Sequence, residues 1–191
     1  MSPDQIIYQA LAPEHFEQVI KLGNKVQGDN YLSATSLQDI YDKSWHKGIN
    51  ASLVAIYKGT IVGFRLTYAH DKWQRDQWCT PNLWPVAEDK VCYFKCNTVS
   101  PDMQGAGIGS ALLACSVAQA TKQGALAGLA HIWLASPGNS AFKYFTKNGG
   151  ILVKKHPNKW RHASLYEGYD CPVCPAHCEC EGAEMILTFD T

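Results

Sequence analysis

The chain has 191 residues, nearly half of them apolar, and its 17 lysines and arginines are balanced by 17 aspartates and glutamates. Zero formal net charge argues against an extended electrostatic interface with nucleic acid, and no stretch is long and apolar enough to be read as a membrane span. Met1-Ser2-Pro3-Asp4-Gln5 lacks a basic region followed by an apolar one, so no secretory leader is read there and a cytoplasmic location is the expectation.

In chain order, Ile6–Ala10 reads as a first strand. Pro13 suits the first turn of a helix, on which Phe16, Val19, Ile20 and Val26 share one face at helical spacing. A second helix is expected from Ser36, a capping residue with Asp39 three positions on, and Leu37, Ile40 and Tyr41 form its apolar side. Residues 51–57 and Thr60–Tyr68 are rich in β-branched and aromatic residues and flank Lys58-Gly59, which predicts a hairpin. Residues 69–90 form a long connection broken by prolines and charges, and it carries Trp73, Trp78 and Trp84. Connections of that length are uncommon and often functional. The tryptophans either line a pocket or hold the loop down, by packing or at a dimer contact.

Val91–Val99 is the next strand. Residues 107–123 read as a helix with Ile108, Ala111, Leu112, Cys115 and Ala118 on its buried stripe, stopped by Gly124. A strand over 130–135 and a short helix over 139–147 follow, the latter ended by Asn148-Gly149-Gly150. Strands over 151–155 and 183–189 complete the set. The expectation is an α/β (α+β) domain spanning residues 1–191, with seven strands in one mixed, mostly antiparallel sheet flanked by helices.

The strongest chemical signal is Gln104-Gly105-Ala106-Gly107-Ile108-Gly109-Ser110, where a strand gives way to a helix. The first N–H groups of a helix have no partner within it, and the helix dipole adds positive potential there. A pyrophosphate can accept those bonds. Glycines 105, 107 and 109 keep Cβ atoms away from the approaching phosphate, and Ser110 adds a hydroxyl. The spacing is not that of the dinucleotide fingerprint, and no Gly-Lys-Ser/Thr of a Walker loop occurs.

These residues resemble the Q/R-x-x-G-x-G/A motif of the GNAT superfamily of N-acetyltransferases. The strand ending in Thr98-Val99-Ser100-Pro101 and the segment Ala141-Phe142-Lys143-Tyr144-Phe145-Thr146-Lys147-Asn148-Gly149 are similar to that family as well. The resemblance implies a sheet whose central strands splay apart, with acetyl-CoA between Val91–Val99 and the strand over 130–135. It implies that Thr98 and Val99 bond the pantetheine arm and thioester oxygen, that the amides of Gln104, Gly105, Ala106, Gly107, Ile108, Gly109 and Ser110 hold the pyrophosphate, and that Asn139 approaches the cofactor arm. The reaction it implies is direct acyl transfer to an amine in a ternary complex, with Val99 N–H as oxyanion donor. In that family a tyrosine often protonates the leaving thiolate. Here Phe145 takes that tyrosine's place and Tyr144 stands one residue earlier, as the acid if the register slips, or as a packing residue if it does not. The family's asparagine likewise falls at Gly138. No general base stands out: Glu88, Asp89, His70 and Asp71 read as solvated loop residues, and His131 as a hydrogen-bonded core histidine.

Cys171, Cys174, Cys178 and Cys180 crowd into ten residues within an insertion over 157–182, with His177 among them. Four thiolates have the number and chemistry for a tetrahedral structural zinc, leaving no open position for catalysis; an iron–sulfur cluster or a set of reduced thiols are the other readings. Two further functions compete with the transferase: a non-catalytic CoA-binding or metal-sensing module, and a metal-stabilised interaction domain. The expected partners are acyl-CoA and an amine, small or on a protein. Nucleic acid and membrane are not expected, and a homodimer is open.

Overall fold

The computed structural model describes residues 6–190; residues 1–5, read above for a leader, and Thr191 lie outside the described residues. Along the chain the elements are β1 (Ile6–Ala10), α1 (Phe16–Gln27), α2 (Ala34–Lys43), β2 (Trp45–His46), β3 (Ile49–Asn50), β4 (Leu53–Tyr57), β5 (Thr60–Tyr68), β6 (Val91–Val99), α3 (Ile108–Gln123), β7 (Ala127–Trp133), α4 (Ser140–Lys147), β8 (Ile151–His156), α5 (Arg161–Tyr166) and β9 (Gly182–Thr188). Seven strands form one sheet in the order β1-β4-β5-β6-β7-β9-β8, with β2 and β3 as a separate ribbon. Every pairing in the large sheet is antiparallel except that of β6 with β7.

Local chemistry explains most of these choices. Lys58 and Gly59 both adopt positive φ, 49° and 79°, the two-residue turn that matches the twist of a hairpin. Pro13 opens a short 3-10 turn, Pro13–His15, that leads into α1 at Phe16. The cap of α2 is Ser33, not Ser36: the Ser36 N–H donates to Ser33 Oγ at 3.1 Å, while Ser33 N–H donates back to Ser36 Oγ at 2.9 Å. The two serines satisfy each other's backbone, and the helix begins earlier than Ser36 alone suggests.

The helices cover both faces. Val19 of α1 and Leu37 of α2 are buried with Phe64 and Leu66 of β5. On the other face, Ile108 and Leu112 of α3 pack against Leu53 and Ala55. Gly63 permits that approach, since a Cβ there would lie 3.2 Å from Ile108 Cγ2. The buried stripe of α3 is rotated from the one expected: Ala118 is exposed, and Leu113, Ser116 and Ala120 are buried instead. Ser116 earns its place by bonding, for its hydroxyl reaches Ala51 O at 2.7 Å and Thr67 Oγ1 at 2.8 Å.

The central opening begins where the pairing of β6 with β7 ends. Strands β6 and β7 pair only at Val91↔Ala127, Cys92↔Gly128 and Tyr93↔Leu129. At the next residue, the Phe94 ring fills the space beside Gly128: a Cβ on Gly128 would fall 2.1 Å from Phe94 Cε2. Beyond that ring the strands part. A bulge in the β5–β6 pairing, where Leu66 faces Cys96 and Thr67 faces Phe94, leaves Lys95 as the extra residue, and such bulges bend the strand that carries them. Strand β7 starts at Ala127, three residues before the expected start, because small Ala127 and Gly128 give no strand signal yet fit this crowded junction.

The long connection over 69–90 is held down rather than open. Trp73 and Trp84 are buried against Val91, Ala127, Leu129 and Ile186, and Trp73 Nε1 donates to Val91 O at 2.8 Å. Glu184 of β9, with no exposed surface, accepts from the Thr80 N–H and Trp84 Nε1 at 2.8 Å each, from His156 Nε2 at 3.0 Å, and from the Thr80 hydroxyl. Burial alone would raise this carboxyl, but those donors outweigh it and hold it below the usual range. Of the three tryptophans only Trp73 lines the central cleft; Trp78 meets the edge of His156 at 5.7 Å.

Candidate active site

A cleft of about 1680 Å3 runs from the start of α3, through the gap between β6 and β7, to the segment that follows β8. Its α3 end is the glycine loop. Gly105 and Gly107 both have φ of 80°, and a Cβ on either would meet nothing within 4 Å. The loop is glycine-rich for backbone shape there, and its outer side is open to a ligand. The first N–H to Gly107 O is that of Ala111, at 3.0 Å, so the N–H groups of Ile108, Gly109 and Ser110 have no partner inside the helix. No side chain caps α3. Gln104, Gly105, Gly107, Ile108, Gly109 and Ser110 line the cleft, as do Thr98 and Val99 on β6; Ala106 does not.

Two of the expected residues sit differently. Asn139 caps α4 in a left-handed conformation, φ 53° and ψ 38°. It does not line the cleft, and its Oδ1 is buried without a partner. Thr98 is 2% exposed, and its hydroxyl accepts from Gln27 Nε2 at 3.2 Å, tying α1 to the site.

The α4 helix turns Phe145 into the core, 6.0 Å from the Phe94 ring centroid, and turns Tyr144 toward α3. The Tyr144 hydroxyl donates to Gly109 O at 2.7 Å and accepts from Arg65 Nη2 at 3.0 Å. Arg65 is 2% exposed, lies 4.9 Å over the Phe94 ring, and leaves its Nε without a partner. No carboxylate among the described residues pairs with it. A buried cation facing an open cleft without a counter-ion suits a site for anionic ligands and developing negative charge. Sequence reading missed Arg65 because it lies inside an apolar strand, with no motif around it.

At the splay point, Tyr93, the last paired residue of β6, meets His131, two residues past its partner Leu129 on β7. His131 Nε2 lies 2.7 Å from Trp78 O, and a carbonyl can only accept, so this nitrogen carries the proton. Nδ1 is then the acceptor for the Tyr93 hydroxyl at 3.1 Å. Burial, reinforced by the nearby Lys159 charge, lowers His131 to about 4, while burial pushes the Tyr93 hydroxyl up. The pair is therefore neutral at neutral pH. His131 was read as a hydrogen-bonded core histidine; it is hydrogen-bonded and also lines the cleft. His70, read as solvated, is 9% exposed, with Nδ1 2.8 Å from Asp89 O and Nε2 3.3 Å from Gln123 O. Both its nitrogens face carbonyls, and the residue does not line the cleft.

The four clustered cysteines come together after α5. Their sulfur atoms all lie within 4.8 Å of one another, with Cys171–Cys180 at 3.8 Å and Cys174–Cys180 at 3.6 Å. A zinc–sulfur distance of about 2.3 Å gives a tetrahedron of edge about 3.8 Å, so the donor set fits that ion. Donors surround the sulfurs: the Glu179 N–H reaches Cys174 Sγ at 3.5 Å. Burial would raise Cys171, but the Val173 and Cys174 N–H groups bring it down to about 7. His177 is not in the cluster.

With this geometry in view, a sequence profile of the acetyltransferase (GNAT) family matches residues 8–149. The chain belongs to the GNAT acetyltransferase family. This transferase is similar in fold to Ard1 from Thermoplasma volcanium, with 14% identity, TM-score 0.69, and 98% of this chain and 99% of that chain covered. It is similar to yncA, a putative acetyltransferase from Salmonella typhimurium with its cofactor acetyl-CoA, with 14% identity, TM-score 0.69, and 97% and 95% covered. It is also similar to Arabidopsis thaliana Naa50 in complex with the bisubstrate analogue CoA-Ac-MVNAL, with 15% identity, TM-score 0.64, and 97% and 99% covered. No curated protein sequence matches the chain. The family assignment makes it an acyl-CoA-dependent acetyltransferase with acetyl-CoA as co-substrate.

Proposed function

We propose that acetyl-CoA lies along the cleft with its pyrophosphate on the N–H groups of Gln104–Ser110 and its thioester at the gap past Phe94, where an amine entering from the Tyr93–His131 side attacks it. The observation that carries this reading is one continuous opening that joins an uncapped helix start to a neutral polar pair. In the transfer a C–N bond forms and the C–S bond breaks. The oxyanion is met by the Val99 N–H, and the amine proton passes to the Tyr93 hydroxyl as that hydroxyl gives its own proton to the His131 Nδ1 that accepts from it. The departing thiolate takes a proton from Tyr144, whose hydroxyl Arg65 positions and whose phenolate it would balance. Thr98 supports the pantetheine arm; Asn139 helps only by shaping the start of α4, since it stands outside the cleft lining.

The whole stretch acts as one transferase unit, with the insertion over 157–182 stapled by a single structural zinc on Cys171, Cys174, Cys178 and Cys180. Four sulfurs within 4.8 Å of one another, two of their separations close to a zinc tetrahedron's edge, support it. All eight cysteines are free of disulfides, which favours a reducing, cytoplasmic setting. No helix of the described residues is long and apolar enough to cross a membrane, and the balanced charge favours a small or protein amine over nucleic acid. A homodimer is the assembly to look for, by sedimentation. Calorimetric titration with acetyl-CoA tests the central reading: saturable one-site binding, followed by amine-dependent release of free thiol, is the expected result. Absence of binding overturns it.

A further inference from the structure

We propose that the acceptor half of the cleft contains an anion subsite at Lys159, so that the amine acetylated by this chain carries a carboxylate of its own. The proposal rests on the transferase reading above and deepens it to a substrate class.

Lys159 follows β8 and lines the cleft beside Trp160. Its stem lies across β9 at Gly182, where a Cβ would come within 2.6 Å of Lys159 Cδ. Gly182 pairs with Trp133, and Glu184, two residues on, pairs with His131. The lysine thus lies over β9, the strand next to β7, level with Trp133 and two residues along from His131, close enough for its charge to act on that imidazole. Its ammonium is framed by two aromatic faces, Trp78 at 5.3 Å and Trp160 at 5.6 Å from the ring centroids. Such a frame fixes a cation in place without neutralising it.

No carboxylate among the described residues lies within 4.0 Å of that ammonium. The acidic groups in its field are committed elsewhere. Asp76 accepts from the Trp78 N–H at 2.9 Å and from the Cys79 thiol, and Glu184 already holds Thr80, Trp84 and His156. Burial destabilises the charge on Lys159, enough to lower its pKa. A half-buried cation held between rings and left unpaired gains most from an anion supplied by a ligand. Its place decides which ligand. The phosphates belong at the opposite end of the cleft, on α3, whereas Lys159 lies over β9, the strand next to the one that carries His131. Lys159 and the pair line the same cleft, a placement that suits an ammonium and a carboxylate in one small molecule or one terminal residue. Asp170 lines the same half of the cleft and gives it both signs of charge.

The test is acetylation of the twenty L-amino acids, each offered as the free acid and as the C-terminal amide, with acetyl-CoA affinity measured by calorimetry alongside. Free acids should be acetylated at least tenfold more efficiently than the neutral amides. If the aspartate and glutamate amides are also accepted, the side-chain carboxylate is the group bound; if not, the α-carboxylate is. Lys159→Met should raise KM for the best acceptor at least tenfold with acetyl-CoA affinity unchanged, and Lys159→Arg should recover much of it. Equal use of acids and neutral amides, acetylation of neither, or an unchanged KM in Lys159→Met overturns the subsite while leaving acetyl-CoA binding intact. Failure to bind acetyl-CoA overturns the transferase reading, and the subsite with it.

Discussion

The Arg65 guanidinium donates to the Tyr144 hydroxyl at 3.0 Å, and that hydroxyl donates in turn to Gly109 O at 2.7 Å. A strand, a helix and the start of the phosphate-facing helix are thereby joined through one phenol. Tyr144→Phe keeps the ring and removes only the hydroxyl. If the phenol protonates the leaving thiolate, kcat should fall about a hundredfold, with acetyl-CoA affinity within twofold of the parent. Arg65→Met should lower kcat in the same direction. A Tyr144→Phe enzyme with normal kcat and reduced thermal stability would assign the residue to packing alone.

Gly107 tests the phosphate end. Its φ of 80° strains any other residue, by about 1–2 kcal/mol, but no atom obstructs a new side chain. Gly107→Glu should therefore fold, with a melting temperature a few degrees lower, and lose at least a hundredfold in acetyl-CoA affinity through carboxylate–phosphate repulsion. Calorimetry and thermal melting measure the two effects separately.

His131 makes stability depend on pH. Its folded value is about 4, against about 6.5 in an unfolded chain. Folding disfavours the protonated form, so the stabilisation is complete above pH 6.5. It is lost as pH falls toward 4, at about 1.4 kcal/mol per pH unit. Glu184 acts in the same direction at lower pH, since its folded carboxyl lies below the usual range and its contribution disappears as that group protonates. Urea midpoints of the parent should fall between pH 6.5 and 4, and those of His131→Asn should fall less over that window.

For the cysteine cluster, elemental analysis of protein prepared without metal-affinity resin should find about one zinc per chain. Chelation should release it and expose the insertion to chymotrypsin at Tyr166, which is already 74% exposed. Metal-free protein that resists the protease would count against the site.

The elements whose signal is local were legible in the sequence. The hairpin at Lys58-Gly59, the glycine loop before α3 and the stop at Gly124 each depend on one or two residues with unusual backbone freedom. What escaped depends on distant partners. The two-residue strands β2 and β3 and the six-residue α5 are too short to show a period. Arg65 and Tyr93 sit in apolar strands, and only the pairing of β5 with β6 and of β6 with β7 brings them to Tyr144 and His131. Ala118 fell outside the core because Ser116, a polar residue, was drawn in by a buried acceptor, Ala51 O, and a buried hydroxyl, that of Thr67. The tryptophans of the long connection were visible, but their anchoring through Glu184 was not, since that carboxylate lies about a hundred residues further on.

The Phe94 ring beside Gly128 carries a consequence for how the ligand arrives. The ring packs over a paired position, and past Tyr93↔Leu129 the strands β6 and β7 already stand apart, so no cofactor has to prise them open. Pre-organisation of this kind removes a reorganisation cost from the binding step. Acetyl-CoA should therefore associate in a single kinetic phase whose rate rises linearly with concentration, with no slow conformational step behind it. A larger residue at 128 would displace the Phe94 ring beside the mouth of the gap, and the effect would appear in association kinetics before it appeared in chemistry.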